Sequence, residues 1–250
     1  MHRFYLPPAE CRAPVPTLTG REAHHALHVL RLRRGDPLVL LDGQGQTLVC
    51  QIAATGREDL ELKVVERQAQ PPLPCSILLA QAVPKGKKFE EIIEKATELG
   101  VSRIVPLFTE RTVGKIDPAD QARKVAKWQQ VAVEAIKQCG APWLPRVELP
   151  MAVEHFAQEQ QKIDLPLVGS LASGSSHPRT CFDEFKRARE HLPNSVSIAI
   201  GPEGDFTAAE LAKLQAAGAQ PITLGPLVLK TDTAAFYCLS IINYELRAPH

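Results

Sequence analysis

Between Ser195 and Ala235 the chain carries two short apolar runs, each closed by a glycine–proline pair. Val196–Ile200 leads into Gly201-Pro202-Glu203-Gly204-Asp205, and Pro221–Leu224 leads into Gly225-Pro226-Leu227-Val228-Leu229-Lys230-Thr231-Asp232. A third exit, Gly169-Ser170, follows Leu165–Val168. Glycine lets backbone N–H and C=O groups approach a ligand closely. Three such loops at the ends of three strands can hold an adenine-type ring by main-chain hydrogen bonds. Lys230 adds a cation that can face a ligand or an RNA phosphate, and Thr231 or Asp232 can cap the apolar helix that follows.

Other chemistries are excluded by what these loops lack. There is no G-x-G-x-x-G and no Walker G-x-x-x-x-G-K-[ST], and Glu203 would repel a phosphate seated on its loop. No G-x-S-x-G elbow is present. His24 and His28 have a metal-ligand spacing, but no carboxylate or cysteine set accompanies them, so no metal is expected. Cys11, Cys50, Cys75, Cys139, Cys181 and Cys238 are scattered, which fits reduced cysteines in a cytoplasmic protein.

The elements that must position these loops alternate. Ser76–Ala82 reads as a strand, Phe89–Leu99 as an amphipathic helix stopped by Gly100, and Val101–Phe108 as a second strand, a βαβ unit that implies a parallel sheet. Ala119–Cys139 is a long helix, Ala152–Gln160 a short one, Leu165–Val168 a strand and Phe182–His191 a polar helix. After Val196–Ile200, Thr207 three residues before Glu210 is a capping-box start. Thr233–Arg247 is the last helix. Residues 1–70 are different in kind. Leu38–Leu41, an Asp42-Gly43-Gln44-Gly45 turn and Thr47–Ile52 form a hairpin, Leu60–Val65 alternates as a third strand, and Arg21–Leu30 is a short helix. That suggests a small barrel. Gln70-Pro71-Pro72-Leu73-Pro74 separates it from an α/β domain over 73–250.

The 250-residue chain has a formal net charge of +1, so any polyanionic partner must be met by a local patch. Such a patch exists. His2, Arg3, Arg21, His24, His25, His28, Arg31, Arg33 and Arg34 face only Glu10 and Glu22 among the first 34 residues, a pattern suited to an RNA backbone. Lys85, Lys87 and Lys88 form a basic turn at the same sheet edge as the glycine loops. No apolar run approaches the roughly 20 residues of a membrane helix, and the amino terminus has no apolar core of signal-peptide length.

His25–Asp36 (H-x-x-x-V-L-R-L-R-R-G-D), Lys85–Val101 (K-G-K-K-F-E-E-I-I-E-K-A-T-E-L-G-V), Ile200–Gly204 (I-G-P-E-G) and Leu224–Ala234 (L-G-P-x-V-L-K-T-D-T-A) resemble the RsmE-type methyltransferases of bacteria, members of the SPOUT superfamily. The resemblance spans essentially the whole chain. It implies a PUA-like RNA-binding β-barrel over 1–70, a C-terminal SPOUT α/β domain with a trefoil knot over 73–250, and a homodimer. It implies methylation of a uridine at N3 in 16S ribosomal RNA of the small subunit, with S-adenosylmethionine as cofactor.

Carried over by residue, the cofactor pocket comprises Ser170, Leu171, Gly201, Pro202, Glu203, Gly204, Leu224, Gly225, Leu229 and Thr231. Lys230 is the electrostatic stabiliser, the general base lies among Asp232, Glu203 and Asp205, and the RNA contacts are Arg3, His25, Arg31, Arg33, Arg34, Lys85 and Lys87. The apolar last helix, with Phe236, Tyr237, Leu239, Ile241 and Ile242, packs in the knot and at the subunit interface. The chain departs from the family pattern at Leu227 and Ala141, where arginine is usual, and at Asp205, where glycine is usual. Two other readings are a SPOUT methyltransferase acting on another ribosomal or transfer RNA position, and a non-catalytic RNA-binding ribosome-assembly factor.

Overall fold

The structure, a computed structural model, describes residues 1–86, 88–112, 116–172 and 174–247. The chain divides into two units, Met1–Pro72 with Val133–Leu144, and Leu73–Ala132 with Pro145–His250. The first unit thus takes in a segment that the sequence reading places within the α/β domain.

In the first unit the elements run β1 (His2–Tyr5), α1 (Pro8–Cys11), β2 (Thr17–Thr19), α2 (Gly20–His24), β3 (Pro37–Leu41), β4 (Gln46–Thr55) and β5 (Asp59–Ala69). They form a five-stranded sheet in the order β1-β3-β4-β5-β2. Two register shifts between β4 and β5, at Val49/Cys50 and Ile52/Ala54, add the local twist that coils a sheet toward a barrel. Its inner face buries Phe4, Leu18, Leu38, Leu40, Leu48, Ile52, Leu60 and Leu62 in one core. The hairpin turn is fixed by Asp42, which is 2% exposed and accepts from Gln44 N–H at 2.7 Å and Gln46 N–H at 2.9 Å.

The expected helix over Arg21–Leu30 is only half α. Past His24 it widens into a π turn, His25–Val29, closed by Leu30 N–H on the His25 carbonyl at 2.9 Å. The apolar spacing of Ala23, Ala26, Leu27 and Leu30 does not distinguish the two windings. Arg3 serves the same unit's far segment. Its Nη1 donates to the carbonyls of Lys137 (3.3 Å) and Gln138 (3.0 Å), the carbonyl end of a helix, where a cation is favourable.

The second unit runs β6 (Ser76–Ala82), α3 (Lys88–Glu98), β7 (Arg103–Phe108), α4 (Pro118–Cys139), β8 (Arg146–Val147), β9 (Met151–Ala152), α5 (Val153–Gln160), β10 (Leu165–Gly169), α6 (Pro178–Arg189), β11 (Ser195–Ile200), α7 (Ala208–Ala216), β12 (Gln220–Ile222) and α8 (Thr231–Arg247). The strand order is β12-β10-β11-β6-β7-β8, with β9 also on β7, and every recorded pairing is parallel. The central strands β6, β10 and β11 are buried almost throughout, which is why they read as continuous apolar runs rather than alternating ones. Proline, which cannot donate to a ladder, sits where the ladder does not need it. Pro106 of β7 falls in the gap between β8, which pairs Arg103 and Ile104, and β9, which pairs Leu107 and Phe108. Pro166 precedes the start of β12 pairing at Leu167.

From the edge strand β12 the chain returns across the carboxyl ends of the strands, and α8 then packs on β11, α3 and α6 in the middle of the unit. The three glycine exits, after β10, β11 and β12, therefore lie side by side with the start of α8.

Candidate active site

Those exits line one cleft of about 500 Å³, counting space open to solvent. Its walls are Gly169, Ser170 and Leu171 from the first loop, Ile200, Gly201, Pro202, Glu203 and Asp205 from the second, and Leu224, Leu227, Val228, Leu229, Thr231 and Ala234 from the third and α8. Of the residues expected to hold a cofactor, Ser170, Leu171, Gly201, Pro202, Glu203, Leu224, Leu229 and Thr231 are in that wall. Gly204 and Gly225 are exposed and outside it. Gly225 has φ +102°, so it shapes the third loop from behind.

Local hydrogen bonds hold the walls together. Thr231 is 3% exposed, donates to the Gly201 carbonyl at 2.7 Å and accepts from Gln81 Nε2 at 2.8 Å. Asp205 has φ +59°, the left-handed region that favours glycine and that aspartate tolerates better than most side chains. Its Oδ1 accepts from Phe206 N–H at 2.7 Å and its Oδ2 from Leu171 N–H at 3.3 Å, so it joins the second loop to the first. Thr207 opens α7 with the expected capping box to Glu210. Among the described residues the N–H groups of Leu224, Leu227, Val228, Leu229 and Lys230 donate to nothing within the chain, which leaves a row of main-chain donors for a ligand.

The candidate catalytic side chains separate. Glu203 is exposed in the cleft wall. Lys230 is exposed between the wall residues Leu229 and Thr231 but is not itself in the wall. Asp232 is outside the wall. Its Oδ2 lies 3.7 Å from Lys88 Nζ and its Oδ1 accepts from Thr233 N–H at 3.0 Å. Asp205, the remaining candidate base, has both oxygens occupied by backbone donors.

Among the expected RNA contacts, Arg31, Arg33 and Arg34 are exposed on the segment after the π turn, with Arg31 at φ +56°. Asp36 Oδ2 accepts from Arg33 N–H at 2.7 Å and closes that turn, leaving the guanidinium out of it. His25 is half-buried with its ring against Phe4, centroids 6.0 Å apart. Arg3 is exposed but its Nη1 is spent on helix carbonyls. Lys85 is exposed on the turn after β6, and Lys87 lies outside the described residues. Sequence reasoning missed Arg111, whose Nη1 donates to the Gly204 carbonyl, and Gln81, the partner of Thr231. Neither has a motif signal, because each meets its partner across a long stretch of chain.

Residues 71–243 match the RNA methyltransferase domain family and residues 18–65 the RNA methyltransferase PUA domain family. The chain is 35% identical over 249 residues to ribosomal RNA small subunit methyltransferase E of Synechocystis, covering 99% of this chain and 78% of that one. It is 31% identical over 236 residues to the Bacillus subtilis protein of the same name, covering 93% and 91%. The chain belongs to the ribosomal RNA small subunit methyltransferase E family. A Legionella pneumophila protein solved with the cofactor S-adenosylmethionine bound superposes with a TM-score of 0.85 at 30% identity, covering 96% of each chain. The expectation of a SPOUT α/β domain with a PUA-like barrel is borne out by these likenesses over nearly the whole length.

Proposed function

We propose that the chain transfers a methyl group from S-adenosylmethionine to N3 of a uridine in 16S ribosomal RNA. The observation that carries this reading is the cleft, where three glycine exits of one parallel sheet and a row of unspent main-chain donors converge in a member of this family. Ligands of open α/β sheets bind at such carboxyl ends. The residues fit the cofactor. The donors at Leu224 and Leu227–Lys230 suit the edge of a purine and a carboxylate, and apolar Leu171, Leu224, Leu227 and Leu229 suit the faces of the ring.

S-adenosylmethionine supplies an electrophilic methyl group on a sulfonium. The chain's own task is to hold the target base in line with it and to favour loss of the N3 proton. Positioning alone lowers such barriers by several kcal/mol. Of the two carboxylates in the cleft wall, Asp205 is held by backbone donors, and Glu203 takes the proton. Lys230, at the rim, stabilises charge that develops on the base carbonyls. The N3 edge is the Watson–Crick edge, so the uridine is unpaired or flipped out when it enters. Arg31, Arg33 and Arg34 grip flanking RNA through its phosphates.

The chain acts as a homodimer. Leu227 is 73% exposed, Val228 75% and Tyr237 47%, an apolar set on the cleft wall and on α8 that a second copy would cover. Its place is the cytoplasm, where ribosomal subunits are. No described helix is long and apolar enough to cross a membrane.

The test is calorimetry with S-adenosylmethionine, then nucleoside mass spectrometry of 16S RNA after incubation as free RNA or as small subunits. N3-methyluridine is expected. A ribose methyl or a methylated transfer RNA favours the first of the other readings, and absence of cofactor binding favours the assembly factor. Light scattering at micromolar concentration is expected to give the dimer mass, and a monomer refutes the dimer.

A further inference from the structure

The Gly201–Asp205 loop is pinned at three points. Thr231 holds the Gly201 carbonyl, and Asp205 holds Leu171 N–H. The third pin comes from the loop after β7, where Arg111 Nη1 donates to the Gly204 carbonyl. The arginine stem lies along residue 204, since a Cβ there would stand 3.2 Å from Arg111 Cδ. A side chain at 204 would require the arginine stem to give by a few tenths of an ångström.

The segment that carries Arg111 is itself fixed. Thr109 N–H donates to Thr112 Oγ1 at 3.0 Å, and Thr112 N–H donates back to the Thr109 carbonyl at 3.1 Å. Glu110 N–H donates to Glu210 Oε1 at 2.9 Å. Glu210 is 3% exposed, and its Oε2 accepts from Thr207 N–H at 2.9 Å and Thr207 Oγ1 at 3.1 Å. A carboxylate that reads as one half of a capping box therefore also clamps the β7 exit to the start of α7, directly after the Gly201–Asp205 loop. A guanidinium is a rigid, always-charged fork, and its bond to a carbonyl is charge-assisted. It is better suited than a flexible ammonium to hold one peptide in one orientation.

We propose that Arg111 is a positioning residue of the methyl-transfer site. By holding the Gly204 carbonyl it sets the Gly204–Asp205 peptide, one residue past Glu203, and so constrains how Glu203 faces the cleft. The link to catalysis rests on the function proposed above, while the link to loop order does not.

The experiment compares wild type with Arg111→Gln, Arg111→Lys and Gly204→Ala. The readouts are hydrogen exchange at Asp205 and Phe206, single-turnover methylation at saturating cofactor and RNA, and thermal midpoint. Both amides are bonded within the loop, to the Pro202 carbonyl at 2.9 Å and to Asp205 Oδ1 at 2.7 Å. Arg111→Gln is expected to speed exchange at these two amides about tenfold while leaving β11 protected, and to slow the saturated rate by about tenfold or more, since small misplacements cost that much. Arg111→Lys is expected to fall between, and Gly204→Ala to follow Arg111→Gln. Unchanged exchange in Arg111→Gln overturns the proposal. So does a wild-type saturated rate with loss confined to KM for RNA, which would make Arg111 an RNA contact. If wild type itself transfers no methyl group, the proposed function fails, and the exchange data still decide whether Arg111 positions the loop.

Discussion

The Thr231 hydroxyl donates to the Gly201 carbonyl at 2.7 Å and accepts from the Gln81 side chain at 2.8 Å. One buried side chain thereby joins the start of α8, the exit of β11 and the end of β6. Thr231→Val keeps the shape and removes both bonds, leaving the Gly201 carbonyl without the threonine hydroxyl and the buried Gln81 Nε2 with the Ala82 carbonyl at 3.0 Å as its remaining partner. The expected loss is roughly 1–3 kcal/mol of stability, read from urea unfolding, together with weaker S-adenosylmethionine binding. Thr231→Ser keeps the hydroxyl and is expected to cost about 1 kcal/mol or less, for one lost buried methyl. Equal losses in the two variants would assign the effect to packing.

Asp205 combines a backbone at φ +59° with a side chain that spans two loops, and the two roles separate by substitution. Asp205→Gly relieves the left-handed backbone but releases Leu171. Its stability is expected to stay within about 1 kcal/mol of wild type, with S-adenosylmethionine affinity several-fold lower. Asp205→Ala keeps the strain and loses the side chain, so it is expected to be less stable than Asp205→Gly by about 1–2 kcal/mol. Calorimetry and chemical denaturation on the pair check the order.

Much of this site is readable from residue types, and the unreadable part has a physical reason. β6 and β11 are buried on both faces, so their apolar runs mark their limits closely. β8 and β9 span two residues each, too few for any period to show. α6 begins at Pro178, behind His177 as its cap, four residues before the first apolar position that suggested it. The three glycine exits announce a ligand edge because glycine there has a local backbone reason. The ties from Arg111 to Gly204 and from Glu110 to Glu210 join residues 93 and 100 positions apart, and only the folded sheet brings them together. Asp205 stands where the family usually has glycine, and its positive φ accounts for that preference.

The three candidate catalytic side chains should separate in single-turnover methylation. Glu203→Gln removes the only one of them in the cleft wall, and a loss of about 10²-fold or more is expected for a general base. Lys230→Met is expected to cost about 10²-fold if it stabilises developing charge. Asp232→Asn is expected to stay within a few-fold of wild type, because Asp232 is outside the wall and paired with a partly exposed Lys88. A larger loss for Asp232→Asn than for Glu203→Gln reverses the assignment of the base.

The cysteines give a pH-dependent signature. All six are free, and only Cys139 is exposed. Burial pushes the Cys11, Cys75 and Cys238 thiols from 9.0 up to about 12. A thiol reagent near neutral pH is therefore expected to label one cysteine in the native protein and six after denaturation. A raised folded pKa means that the native state holds the proton more tightly. The associated stability is complete below pH 9.0 and is lost as pH rises toward about 12. Alkaline unfolding should begin in that window, and Cys238→Ala should flatten it. Rapid labelling of several native thiols at neutral pH would contradict the burial.

Arg3 and the cluster Arg31, Arg33 and Arg34 are equally basic in sequence, and the structure gives them different duties. Nη1 of Arg3 is committed to the Lys137 and Gln138 carbonyls, whereas the cluster is exposed beyond the π turn. Each phosphate contact contributes about 0.7–0.9 to the slope of log affinity against log salt. Arg33→Ala with Arg34→Ala is expected to lower that slope for 16S RNA by about 1.5, with thermal stability unchanged. Arg3→Ala is expected to act the other way round, lowering the thermal midpoint while leaving the slope close to wild type. Filter binding of RNA across a range of potassium chloride, beside thermal melts, measures both. If Arg3→Ala reduces the slope as much as the double variant does, Arg3 reaches RNA despite its bonds to the helix end.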